Sequence, residues 1–180
     1  MTKIEWIRAG GNHVNDMVAL TQKHYQVEAE DLYTPEPVVL SRNLLLGIVK
    51  QFYNPNAEYI SVGVKDGVIV AYLWMIRGVT TPWSDDEMLD WRIAHIDLSL
   101  PARERVKICH EMIDQAILFA HHNKIPIICS STIRSAQDGF LRIHEKRGFT
   151  IRGSLAYMRL LEKEVAQPGT SADENSESPT

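Results

Sequence analysis

The chain has 180 residues, 44% of them hydrophobic and 23% charged, with two cysteines and a formal charge of −4. That is the size and balance of one globular domain with its own core; it excludes a disulfide framework, a cysteine-built zinc site and, since no apolar run reaches roughly 18 residues, a membrane span. The charge is uneven: residues 1–100 carry net −5, residues 101–160 net +5 and residues 161–180 net −4, which disfavours a general nucleic-acid binder but leaves room for a local anion site in the second half.

Met1 to Trp6 has no apolar stretch of the leader type, so the expected compartment is the reducing cytoplasm. Lys3–Arg8 alternates apolar and charged residues and predicts a strand, broken by Gly10-Gly11. Asn12 is placed to cap a helix with Val14, Met17, Val18, Thr21 and Tyr25 on one face. A second helix follows Pro37, carries Leu40, Leu44, Leu45, Ile48 and Phe52, and ends at Asn54-Pro55-Asn56. Tyr59–Lys65 and Val68–Arg77 are β-rich runs joined by Asp66-Gly67, a two-residue hairpin loop. Residues 78–91 read as a long loop. Ile93–Leu100 reads as a strand, and Pro101 to about His122 as a helix burying Val106, Cys109, Ile113, Ala116, Ile117 and Ala120. Ile125–Ser130 is a buried-type strand and Asp138–Arg147 a short helix closed by Gly148. Phe149–Arg152 and Leu155–Leu160 complete the strands. The domain spans residues 1–163, and residues 164–180 form an acidic tail too polar to fold. The predicted class is α/β, with a mixed sheet, helices on both faces, and a parallel βαβ unit over Ile93–Ser130.

The run Phe140-Leu141-Arg142-Ile143-His144-Glu145-Lys146-Arg147-Gly148-Phe149 resembles the helix-to-strand signature of the GNAT superfamily of acyl-CoA-dependent N-acyltransferases. In that family it is usually an Arg, an aromatic, then Glu-Lys-x-Gly-Phe. The hairpin Lys65–Tyr72 is similar to the family's central hairpin. Pro101 to Ala120 aligns without a gap to its pyrophosphate loop and the helix that follows. The resemblance covers residues 1–160 and implies a mostly antiparallel twisted sheet with a central parallel splay.

It also implies a chemistry: an amine attacks an acyl-CoA thioester, acetyl-CoA first among them, in a ternary complex. The implied cofactor-binding residues are Leu98, Ser99, Leu100, Arg103, Arg105, Val106, Lys107, Ile108, Cys109 and Arg142. The family's loop glycines are replaced by Arg105, Lys107 and Cys109, and its usual basic residue by Glu104. Those side chains either block close backbone approach or supply charge in place of the lost cradle.

His144 stands where the family often has the tyrosine acid that protonates the departing thiolate. A histidine can donate near neutral pH, and a helix-surface histidine is the plainer alternative. His95 and Asp97, two apart on one strand, share a face and are the candidate bases; mutual hydrogen bonding is the alternative. A free backbone N–H near Leu98–Leu100 is the candidate oxyanion donor. Tyr25, Tyr33 and Trp83, with Asp85-Asp86-Glu87, are the candidate wall of an acceptor pocket, whose acidic rim suits a cationic amine. No metal-ligand spacing occurs.

The expected acceptor is a small-molecule or protein amine, and the chain is also compatible with a homodimer. Two other functions fit the same residues: a GNAT-fold binding or structural protein without catalysis, and acyl transfer to a macromolecular acceptor.

Overall fold

The computed structural model of the chain describes residues 3–30, 32–134 and 137–152. In chain order the elements are β1 (Glu5–Arg8), one 3-10 turn (Gly11–His13), α1 (Val14–Ala29), α2 (Pro37–Tyr53), β2 (Glu58–Lys65), β3 (Val68–Thr81), β4 (Ser84–Ile96), α3 (Ala102–Asn123), β5 (Ile127–Cys129) and α4 (Asp138–Lys146). The strands form one sheet in sequence order. Neighbours run antiparallel except β4 and β5, which are parallel and joined through α3. This is the mixed, mostly antiparallel α/β sheet expected from the sequence, with helices on both faces.

Alternation along β3, reset by a bulge at Val70, builds both halves of the core. Val70, Leu73 and Met75 pack with α3 residues such as Ile108, Met112, Ile113 and Ala116. Ile69, Tyr72 and Trp74 pack with Val14, Met17, Leu44 and Ile48 from α1 and α2. Buried on both faces, β3 reads as a nearly continuous apolar run. The β2–β3 turn is as predicted: Asp66 and Gly67 both take positive φ, 52° and 80°.

Other expectations need correction. Residues 78–91 are not a loop; β3 runs to Thr81, and β4 starts at Ser84 around a tight Pro82-Trp83 turn. Asn12 lies inside the 3-10 turn, and it is His13 that organises the start of α1, its Nδ1 accepting the Gly10 N–H at 2.9 Å. Leu45 and Phe52 of α2 are exposed rather than buried. Ile93–Leu100 is strand only as far as Ile96, and residues 97–100 form a turn. Phe149–Arg152 is not a strand in the structure, because the Phe149 N–H returns to the His144 carbonyl at 3.0 Å and closes α4, with Gly148 at φ 88°. Leu155–Leu160 and the acidic tail lie outside the described residues.

One irregularity positions everything that follows. Trp74 pairs with Ile93, and Met75 pairs with Trp91. Arg92 is therefore an extra residue, a β-bulge in β4. Side chains alternate along a strand, so one inserted residue reverses the faces beyond it. Leu89 and Trp91 accordingly pack toward α3, while Ile93 packs toward α1 and α2.

Candidate active site

β5 pairs with β4 over only Met88, Leu89 and Asp90. Beyond Asp90 the two strands part, and the upper half of β4 has no second neighbour among the described residues. The Asp97 N–H bonds the Val70 carbonyl at 2.8 Å. Ladder alternation then turns the N–H groups of His95 and Ile93 toward β3 and those of Ala94 and Ile96 toward the opening. A cavity of about 460 Å³ fills the gap, walled by α1, β4, the start of α3, residues 131–134 and the start of α4.

His95 lines this cavity. The residue is 2% exposed, its ring stacked 5.5 Å from Tyr72 and tilted against His24 at 5.8 Å. Burial, aided by neighbouring His24, pushes it down to about 4, against the pull of the Leu20 carbonyl and Asp97. His95 is therefore neutral at pH 7. Its Nε2 is buried without a hydrogen-bond partner among the described residues.

Asp97 does share a face with His95, since both meet His24 of α1, but it is held away from the cavity. Its Oδ1 accepts the Ser99 N–H at 2.9 Å, the Ser99 hydroxyl at 2.7 Å and Lys23 at 3.2 Å. His24 Nε2 lies 2.9 Å from the same oxygen and 3.2 Å from the Leu98 N–H. Burial pushes Asp97 upward, but Ser99, Lys23 and His24 together hold it well below the usual carboxylate range. Asp97 is the lock of a turn, a poor proton acceptor, and its assignment as a base is corrected. The proposed oxyanion donors fall with it. The Ser99 N–H is held by Asp97 and that of Leu100 bonds the Asp97 carbonyl at 3.2 Å, while the Leu98 nitrogen faces, at 3.2 Å, the His24 Nε2 that serves Asp97. Leu98 still lines the cavity through its side chain; Ser99 and Leu100 are not among its walls.

From α3, Arg105, Val106 and Cys109 line the cavity. Arg105 Nε is buried with no hydrogen-bond partner among the described residues. Burial pushes the Cys109 thiol up to about 11, so it is an inert wall. Glu104, which would repel an anion, is turned inward onto Lys65 at 2.7 Å. Arg103 is exposed at the helix start, and exposed Lys107 pairs with Glu111 at 3.7 Å. Ile108 is core, and Arg142 is exposed; neither is a wall of the cavity.

His144 is also corrected. It is buried among the rings of Phe140, Phe149 and Trp91 at 4.0, 4.8 and 5.7 Å. Its Nδ1 lies 2.9 Å from the Phe140 carbonyl, which only accepts, so the proton sits there. Burial lowers the imidazole against the upward pull of the Phe140 carbonyl. Its single N–H is committed, and the cavity meets Phe140 and Ile143 instead. Tyr25 and Tyr33 do line the cavity, but Trp83 stands 90% exposed at the β3–β4 turn and is not a wall. Asp85, Asp86 and Glu87 are not among its walls either, and Glu87 forks onto Arg77 at 2.6 Å. Sequence reasoning missed Glu28, Tyr72 and Arg134, all lining the cavity; no motif marks them, because α1 and the segment after β5 meet only in the fold.

The architecture has clear counterparts among solved structures. A predicted acetyltransferase from Clostridium acetobutylicum, solved with acetyl-CoA, superposes with a TM-score of 0.65 at 14% identity, covering 91% of this chain and all of that one. The fold is that of the GNAT superfamily. Other GNAT-fold neighbours include a ribosomal-protein-alanine N-acetyltransferase from Brucella melitensis biovar Abortus 2308 (TM-score 0.60, 11% identity, covering 87% of this chain and 99% of that one). AAC(6')-Iy, bound to the bisubstrate analogue CoA-S-monomethyl-acetylneamine, matches with TM-score 0.60 at 12% identity over 88% of this chain and 100% of that one. No family model matches the sequence, and no curated protein matches it. Among the described residues, no helix of this GNAT-fold chain is long and apolar enough to cross a membrane.

Proposed function

We propose that the chain is an acyl-CoA-dependent N-acyltransferase, with acetyl-CoA as donor and an amine as acceptor. One observation carries this: the edge of β4 that is unpaired among the described residues borders a cavity lined by both Arg105 and neutral His95. A bound acyl-CoA would supply an electrophilic thioester carbonyl. The N–H groups of Ala94 and Ile96 are the donors available to its oxygen. Arg105 and Arg103, at the start of α3, would meet its phosphates; with Glu104 turned onto Lys65, this end stays cationic without the family's glycines. His95 Nε2 offers a lone pair to the attacking amine and takes its proton as the C–N bond forms and the C–S bond breaks. A proton from solvent would complete the departing thiol, and His95 would return the amine's proton to solvent.

The test is thermal unfolding with acetyl-CoA. At a ligand concentration of about 100 Kd, stabilisation of about 2.7 kcal/mol raises Tm by about 5–10 °C in a domain of this size. Arg105→Glu is expected to remove the shift. No shift with either CoA or acetyl-CoA in the unaltered protein overturns the proposal.

A second function, a GNAT-fold binding protein without turnover, is favoured by the replacement of the loop glycines by Arg105, Lys107 and Cys109. It predicts the same acetyl-CoA shift but no release of CoA across a panel of primary amines.

A further inference from the structure

Glu28 lies one turn beyond His24 on α1 and is a carboxylate in the cavity wall. Its Oε1 is 3.6 Å from His95 Nδ1, and the same oxygen is ion-paired to Arg134. The side chains of Glu28 and Arg134 are 18% and 29% exposed, so water screens neither fully. An imidazole beside a carboxylate keeps its proton on the nitrogen that faces the carboxylate. For His95 that nitrogen is Nδ1, while Nε2 is the one left buried and unpartnered.

We propose that Glu28 is a positioning residue: it keeps the proton of His95 on Nδ1, leaves the Nε2 lone pair free for the attacking amine, and is itself steadied by Arg134. The purpose of this arrangement rests on the acyltransferase function; its geometry does not. The Glu28–His95 separation is slightly longer than a hydrogen bond, as such contacts often are before substrate closes a site. Arg134 anchors the carboxylate to the segment after β5, so the two sides of the cavity meet through Glu28.

The groups facing His95 set what a titration reads. From α1 they are His24, Glu28 and the Leu20 carbonyl; from β3, Tyr72; from the turn after β4, Asp97. Arg134 meets the same Glu28 oxygen that faces His95. Neutralising Arg134 therefore leaves Glu28 more negative toward His95 and stabilises the imidazolium.

The experiment is imidazole nitrogen NMR on the full chain at pH 7.5, with His95→Gln to assign the resonances. The unaltered protein is expected to show His95 as the Nδ1–H tautomer. Glu28→Gln, whose amide oxygen still accepts, is expected to keep that tautomer, and Glu28→Ala to convert it wholly or partly to Nε2–H. An Nε2–H tautomer in the unaltered protein, or an unchanged tautomer in Glu28→Ala, overturns the proposal. Should Glu28→Ala fail to fold, Arg134→Gln decides: His95 is expected to titrate about one pH unit higher, and an unmoved titration overturns the proposal. Acetyl-CoA melting shifts, measured on the same samples, separate this from the acyltransferase function. A missing shift defeats that function and leaves the tautomer result standing.

Discussion

Asp97→Ala discriminates a turn lock from a catalytic base. The side chain is 14% exposed and gathers His24, Ser99 and Lys23 around one carboxylate. Hydrogen bonds to a charged group contribute about 1.5–3 kcal/mol where sheltered, as the His24 contact is, and exposed pairs such as that with Lys23 under about 1 kcal/mol. Discounting the solvent-facing partners gives an expected loss of about 2–3 kcal/mol at pH 7. The folded Asp97 titrates below its unfolded value, held down by Ser99, Lys23 and His24 against burial. Its contribution is thus complete above about pH 4 and lost as the pH falls toward the folded value. Urea unfolding of both proteins at pH 7 and pH 3 measures this. The gap between them should narrow at pH 3, the common acid sensitivity of the rest of the chain cancelling. A loss under about 0.5 kcal/mol at pH 7, or a gap that widens in acid, refutes the argument.

His95 carries a second pH signature. Its folded value near 4 lies below the ordinary 6.5, so the unfolded chain binds a proton first and stability falls as pH drops from about 6.5 to about 4, by up to about 3 kcal/mol. Urea unfolding of His95→Gln should show a flatter slope across that window, and parallel curves would contradict it. Lys65→Met strands a buried Glu104 and should cost about 2–4 kcal/mol, with Glu104→Gln in the same chain recovering most of it; thermal melts of the two variants report the difference. Gly47→Ala places a methyl 2.8 Å from Ile60 Cδ1 and 2.9 Å from both Glu58 and Trp74. Overpacking of about 1–3 kcal/mol outweighs a helix gain of about 1 kcal/mol, so its melting temperature should fall, and a rise would show that α2 can move away from the sheet.

The features legible in the sequence are those set by local chemistry. Asp66-Gly67 dictates a hairpin through its positive φ angles, Pro37 and Asn54 bracket α2, and the spacing of Cys109, Ile113, Ala116 and Ala120 finds the buried face of α3. The β3–β4 hairpin was hidden because register shifts between Ile76 and Val79 and between Val79 and Thr81 destroy the two-residue period. The site was half legible. His95 and Arg105 do line the cavity, and so do Tyr25 and Tyr33. Asp97, His144 and Trp83 look chemical in one dimension, but their partners are Ser99 and His24, the Phe140 carbonyl, and solvent. Glu28 and Arg134, 106 positions apart, carry no sequence cue that they meet.

The main-chain wall of β4 has an evolutionary consequence. Peptide N–H groups are the same whatever residue carries them, so a surface made of backbone is indifferent to substitution. Its shape depends on where a strand gains its extra residue and where its neighbour departs. Substitution of side chains along such a surface therefore leaves the groove between the parted strands with its outline. At 11–14% identity to its fold neighbours, this protein shares their fold with little of their sequence.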